Sequence, residues 1–443
     1  MRVAANLAAW LLGCLPAELA RRHAHSLTTM TDLPATAKVE VTASRQLLVD
    51  VSVVHQSDAR TGIQRVVRSL LLRLLQEPPA GYVVCPVFAT RQHNYCHAVP
   101  SFLDQPTLAD GAPLSPICVQ PNDIFLCLDL AAHLLPRHQA QVLRWKRAGV
   151  KVHVMVYDLL PLQHPEWFNH RTTRNFKRWI KWLAVYADST ICISQHVQTE
   201  LQAWLGAKFG FSSAELPSTA ISLGADIDAS APSVGLPANA EFLLARMRNT
   251  PAVLMVGTLE PRKGHEQALA AFELLWQSGS VAPMLVMAGR PGWKTEALQE
   301  TLRTHPQAGK KLFWLEDVSD EFLARLYASC RGALVASRGE GFGLPLIEAA
   351  RHGKPVLARD IPVFRQIPVA DLSYFNSNTA DGLANAIQNW LNAPALLPHG
   401  HVMSSFPTWQ ASAVALLQAL GLNQEVTDAR ANVPDHDGIG AAA

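Results

Sequence analysis

The sequence predicts an α/β protein of two doubly wound domains facing a central cleft. β-rich apolar runs alternate with amphipathic helices through most of the chain; the alternation breaks over 206–250, rich in serine, proline and small residues, and then restarts. At 443 residues the chain is too long for one ordinary core, and a prior of roughly 150 residues per domain suggests two or three units. Hydrophobic residues make up 49% and charged residues 17%, the balance of a globular protein. A net charge of +2, from 38 basic and 36 acidic residues, gives no reason to expect a nucleic-acid partner. Seven scattered cysteines without a C-x-x-C pair suggest a reducing compartment and no structural zinc. None of the seventeen histidines falls in H-E-x-x-H spacing, so no metal ligands are expected.

The extension 1–45 begins "MRVAANLAAWLLGCLPAEL", an apolar run that ends at Pro16, short of the ~20 residues a spanning helix needs. A surface-packed or interfacial helix is expected, an export signal being the lesser reading. The first domain, 46–235, opens with the buried strand "QLLVDVSVV" and the helix "IQRVVRSLLLRLLQ". "IFLCLDL", "KVHVMVYDLLPL" and "STICIS" follow as strands, separated by helices. The second domain, 236–404, runs "AVLMVGTL", "PMLVMAG", "KLFWLED" and "GALVAS" with helices between. A closing helix at 405–421 and a tail at 422–443 too poor in apolar residues to fold complete the chain.

Ligands of such sheets bind outside the carboxyl ends of the strands, so the strand-to-helix loops are where chemistry is sought. In "GTLEPRKGHEQAL" the strand passes through Gly257 and Thr258 to Arg262 and Lys263, just before a helix. Two cations beside a helix N-terminus suit a diphosphate, although a lone Arg-Lys pair is also what a solvated turn looks like. In "SRGEGFGLPLIEAARHGKPV" the loop Gly341, Phe342, Gly343 and Leu344 separates Glu340 from Glu348, with Pro345 placed as the first helical residue. Carboxylates accept hydrogen bonds in pairs, as vicinal hydroxyls donate them, so one glutamate suits a hexose and the other a ribose, with loop N–H groups on phosphates between. Alone, Glu348 would read as a first-turn acid complementing the helix dipole. In "HQSDARTGIQRV", Gly62 starts a helix facing the cleft, and Arg65 one turn in is either a cleft residue or a helix-surface arginine.

These motifs, with "VYDLLPLQHPEWF" and "ICISQ", resemble glycosyltransferase family 4, nucleotide-sugar-dependent retaining enzymes of the GT-B fold, over roughly residues 46–421. "VDVSVVHQSDARTGIQRVVR" is most similar to bacterial enzymes of O-antigen and related polysaccharide synthesis, many of them mannosyltransferases. The resemblance implies Arg262 and Lys263 on the donor diphosphate, Glu340 on the donor sugar, Glu348 on the ribose, and no bound metal or other cofactor. It also implies a cytoplasmic protein with a glycan or lipid-linked acceptor. Many family members have histidine where this chain has Tyr157, before Asp158; tyrosine is no neutral-pH proton shuttle, His164 lies close in sequence, and Asp158 suits a turn cap. In "RTTRNFKRWIKWLAVYAD", Arg174, Lys177, Arg178 and Lys181 share a helical face, fit either for solvent or for an anionic membrane surface or a lipid diphosphate. A sugar-nucleotide epimerase and a non-catalytic nucleotide-sugar-binding protein are the competing readings of the same cleft.

Overall fold

The structure, a computed structural model, describes residues 2–29, 44–57, 62–98, 103, 115–224, 226, 232–278, 283–369, 371–393 and 406–422. The boundary drawn at 404/405 and all but the first residue of the tail at 422–443 lie outside these. Among the described residues, thirteen strands form two sheets. The first contains β1 (Arg45–Asp50), β2 (Tyr82–Phe88), β3 (Cys96–His97), β4 (Ile124–Cys127), β5 (Lys151–Val156), β6 (Ser189–Cys192) and β7 (Ser218–Ala220) in the order β3-β2-β1-β4-β5-β6-β7. Its pairs are parallel except β2 with β3. The second contains β8 (Ala252–Val256), β9 (Met284–Ala288), β10 (Leu312–Leu315), β11 (Gly332–Val335), β12 (Val356–Arg359) and β13 (Leu372–Phe375), parallel throughout in the order β10-β9-β8-β11-β12-β13.

The central strands are apolar on both faces because helices cover both: β4, β9 and β11 are buried at every residue. In the second sheet the chain winds outward from β8 through β9 to β10, then returns to the other side of β8 as β11. The crevice at such a reversal is where doubly wound sheets hold ligands. It lies between the loops carrying Arg262 and Glu340. In the first sheet the equivalent reversal lies between β1 and β4.

The stretch 206–250 is less of a linker than its composition suggests. It includes the edge strand β7 and the helix Ala240–Asn249. Residues Ser218–Ala220 pair with β6 as three small or polar residues, so no apolar pattern announces them. The helix buries Leu243, Leu244 and Met247, a short stripe lost behind the preceding Pro- and Ala-rich run. The helix Leu344–Arg351 also starts one residue before Pro345.

The helix Trp409–Ala419 belongs physically to the first domain. Trp409, Ala413, Leu416 and Leu417 are buried in that domain's core, and Ser412 Oγ donates to Ser222 O at 2.8 Å. A Cβ on Gly224 would lie 2.3 Å from Trp409 N, so only glycine lets the helix dock there. At the other end of the chain, helices Arg2–Cys14 and Ala17–Thr29 bury Ala9, Leu12, Ala17, Ala20 and Ala24 against the same core.

Candidate active site

A cavity of about 1180 Å³ lies between the domains. The loops after β8 and β11 form one of its walls, tied together by Arg338 N–H donating to Arg262 O at 2.7 Å. Gly264, at φ +76°, makes this approach possible: a Cβ there would stand 2.5 Å from Ala336 O. Gly257, at φ +139°, likewise needs no side chain, and Lys263 folds across it.

Glu340, Arg262 and Lys263 come together on these loops. Arg262 Nη1 donates to Glu340 Oε2 at 2.8 Å and to Gly339 O at 2.9 Å, its Nε donates to Glu260 Oε2 at 2.8 Å, and Lys263 Nζ donates to Glu340 Oε1. Burial works against ionisation of the Glu340 carboxyl, but Arg262 and Lys263 outweigh it and hold the pKa down at about 2. Burial also opposes the Arg262 charge, and the attraction of Glu340 and Glu260 raises its pKa regardless. The cluster, two cations and an acid, faces the cavity together with Thr258, Gly341, Phe342, Gly343 and Leu344. Gly343, at φ +126°, caps the helix Leu344–Arg351 where Phe364 and Ile367 leave no room for a Cβ.

Glu348 is buried in that helix and is held from both sides. Tyr327 Oη donates to its Oε2 at 2.9 Å, and Arg65, from the other domain, pairs with its Oε1. Arg65 also reaches Asp320 Oδ1 at 3.1 Å, while Asp320 Oδ2 accepts from Ser233 N and Oγ at 2.9 and 2.8 Å. Gly62 starts the helix carrying Arg65, and a Cβ on it would stand 3.8 Å from Leu344 Cδ1, so the two helix N-termini meet across the cleft.

The Tyr157–Asp158 loop supplies the facing wall. A Cβ on Gly341 would lie 1.9 Å from Tyr157 O, and Ser194 Oγ donates to Gly341 O at 2.8 Å. Tyr157 turns its hydroxyl into the core, where it donates to Leu128 O at 2.7 Å and burial pushes its pKa well above the ordinary value. Asp158 accepts from Leu160 N at 3.1 Å, a local turn bond. Burial raises its pKa to about 6, against the pull of Arg262. His164 is not among the cavity-lining residues. It follows the short helix Leu160–Gln163, and its ring stacks on Trp167 at 4.0 Å and meets Glu166 at 3.1 Å. Proximity in sequence did not bring it to the cleft because that helix intervenes.

Sequence reasoning did not single out Glu260, Asp320, Tyr327 or Ser233, nor Arg171, which lines the cavity. Ser319 before Asp320 is a legible helix cap, its Oγ accepting from Phe322 N at 3.0 Å. Tyr327 carries no comparable signal. Among the described residues, no three His, Cys, Asp or Glu side chains are grouped to hold a metal ion.

Residues 243–402 match the family model for glycosyl transferases group 1. Over 380 residues the chain is 43% identical to a serotype-specific mannosyltransferase, WbdA, of Escherichia coli. Residues 243–402 are a group 1 glycosyl transferase domain. The alignment covers 85% of this chain and 45% of WbdA, so the chain spans less than half the length of that relative. An O-antigen chain mannosyltransferase B of Escherichia coli is 30% identical over 153 residues, 34% of this chain and 39% of that one. Among solved structures, a sucrose-phosphate synthase from Thermosynechococcus elongatus superposes with a TM-score of 0.58 at 20% identity, covering 85% of this chain and 98% of that one. Anabaena HepE, in complex with UDP and glucose, gives 0.53 at 17% identity, covering 86% and 96%. At such identities the likeness is one of fold, and that fold is the two-domain α/β GT-B arrangement that the sequence predicts.

Proposed function

We propose that the chain transfers a hexose, mannose from GDP-mannose in the first instance, with retention of anomeric configuration. The acceptor is a glycan or lipid-linked saccharide of a bacterial cell-surface polysaccharide, reached from the cytoplasm with peripheral contact to the membrane. The Glu340–Arg262–Lys263 cluster at the β8/β11 reversal carries this reading, and the identity to WbdA favours mannose. As in the glycosyltransferase family 4 pattern, the diphosphate would lie against Arg262 and Lys263, with Gly257, Thr258 and the Gly341–Leu344 backbone around it. Glu340 would take hydroxyls of the sugar, and Glu348 the ribose.

The chemistry assigned to these residues is electrostatic. As the bond from the anomeric carbon to the diphosphate breaks, negative charge grows on the leaving oxygen, where two preorganised cations stabilise it without reorganising. The acceptor oxygen bonds to the same face of that carbon, and its proton passes to the leaving diphosphate oxygen. Glu340 is poorly suited as a nucleophile because both its oxygens are engaged by cations. No metal enters this scheme.

Purified protein incubated with a panel of GDP- and UDP-sugars, read as nucleoside diphosphate release, tests the reading. GDP-mannose is expected to be turned over and the Glu340→Ala and Lys263→Ala variants to lose most of that release. An epimerised nucleotide sugar from donor alone would reverse the reading in favour of the epimerase, and donor binding without turnover at any acceptor would favour the non-catalytic protein.

A further inference from the structure

The N-terminal helix Arg2–Cys14 has an apolar stripe on each side. Ala5, Ala9 and Leu12 face the first domain, while Leu7, Trp10 and Leu11 are 58%, 61% and 49% exposed. The exposed three stand at i, i+3 and i+4, with exposed Cys14 at i+7, so they form one continuous outer ridge. Scattered exposed apolar residues are ordinary, but a contiguous ridge that includes a tryptophan marks a contact surface.

A basic row adjoins it. On the helix His170–Tyr186, Phe176, Trp179, Leu183 and Tyr186 are buried, while Arg174, Lys177 and Arg178 are exposed and Lys181 partly so. Lys181 Nζ donates to Gly13 O at 2.7 Å, which fixes the end of the row to the end of the apolar ridge. This also places a cation where the helix Arg2–Cys14 has its free carbonyls. The other end of the row, at Arg171, lines the cavity between the domains. Ten residues of helix separate Arg171 from Lys181, a span of about 15 Å. One continuous surface thus runs from an aromatic and aliphatic ridge, past cations, to the mouth of the candidate active site. Glu18, the acid of the following helix, is engaged by Arg22 at 2.8 Å and does not cancel the row.

We infer that the ridge Leu7–Trp10–Leu11 and the row Arg174–Lys177–Arg178–Lys181 form a docking surface for an anionic lipid bilayer. The ridge inserts among the acyl chains near the headgroups and the row meets lipid phosphates, holding the cavity mouth close to the membrane plane. Apolar insertion and cationic attraction are the two contributions that hold an interfacial helix at a membrane. No helix among the described residues is long and apolar enough to cross one. This deepens only the membrane part of the proposed function and is independent of the sugar transferred.

The full chain is floated with vesicles of phosphatidylethanolamine and phosphatidylglycerol, and in parallel with vesicles of phosphatidylcholine. Expected is binding to the anionic vesicles alone, weakened by salt and by about fivefold or more in Lys177→Glu/Arg178→Glu and in Trp10→Glu/Leu11→Glu. Thermal melts accompany each variant, and the milder Trp10→Ser/Leu11→Ser pair replaces the glutamates if folding fails. Absence of vesicle binding, or binding unchanged in both pairs, overturns the inference. So does a wild-type dimer that Trp10→Glu dissolves, which would assign the ridge to a second copy. Nucleotide release in solution is expected to be unchanged in these variants, so failure here is distinct from failure of the transfer reading.

Discussion

Glu340 is the residue whose environment says most. Burial alone would favour the neutral acid, and the adjoining cations, helped by a hydrogen bond from Ser337, keep it charged. Because its folded pKa, about 2, lies below the ordinary 4.5, its contribution to stability is fully present above the unfolded value and disappears as pH falls through the folded one. Urea midpoints of the wild type and Glu340→Gln are therefore expected to differ most near neutral pH and to converge as pH falls from about 4.5 toward about 2. A difference independent of pH would mean that the carboxylate charge is not what the cations hold. In turnover, Lys263→Ala and Arg262→Ala are each expected to lower kcat by about a hundredfold, the scale for removing one preorganised donor from a developing negative charge. A rise in KM with kcat intact would instead assign the cations to ground-state binding.

The elements explain why some of this was legible and some was not. The two strand-to-helix loops around the reversal declare themselves because glycine, proline and charge occur there at fixed distances from apolar strands. β1, β4, β5, β6, β8, β9 and β11 are legible for the same reason: helices on both faces require unbroken apolar runs. β7 is too short and polar to stand out, and β2 carries Pro86 in mid-strand, which argues against a strand. The Arg65–Glu348 pair joins residues 283 positions apart on different domains. Nothing local to either residue encodes it, and a helix-surface arginine is the natural reading until the domains are brought together. Removing Arg65 would leave Glu348 buried with only Tyr327, and loss of one partner from a buried pair typically costs about 3 kcal/mol. Arg65→Ala is expected to lower the thermal midpoint by several degrees, and Arg65→Ala/Glu348→Gln to recover most of the loss. Additive losses in that cycle would show the two side chains to be uncoupled.

At the scale of the whole molecule, the domains meet through apolar packing, including Phe342 and Leu344 against the first domain's core, and through a set of hydrogen bonds. Trp293 Nε1 donates to Trp167 O at 2.8 Å, Lys294 Nζ to Glu166 O at 2.7 Å, His196 N to Gln366 Oε1 at 3.0 Å and Ser194 Oγ to Gly341 O at 2.8 Å. On the proposed function, a donor would enter and its diphosphate leave through the cleft that these bonds span, so their strength would set a balance between exchange and exclusion of water. Bound donor is expected to add about 2.7 kcal/mol of stability at a hundred times its dissociation constant, giving GDP-mannose a thermal shift that UDP-glucose lacks. Trp293→Phe isolates the closure. It removes one bond between the domains, worth about 1 kcal/mol, while a phenylalanine ring retains packing against Phe168, whose ring centroid lies 5.9 Å from that of Trp293. The closed form should then be about fivefold less favoured relative to the open one. Donor hydrolysis is expected to rise relative to transfer, because water reaches the anomeric carbon in a cleft that closes less firmly. The measurement is free mannose against glycosylated acceptor in the same reaction. An unchanged ratio would mean that this bond does not govern access of water.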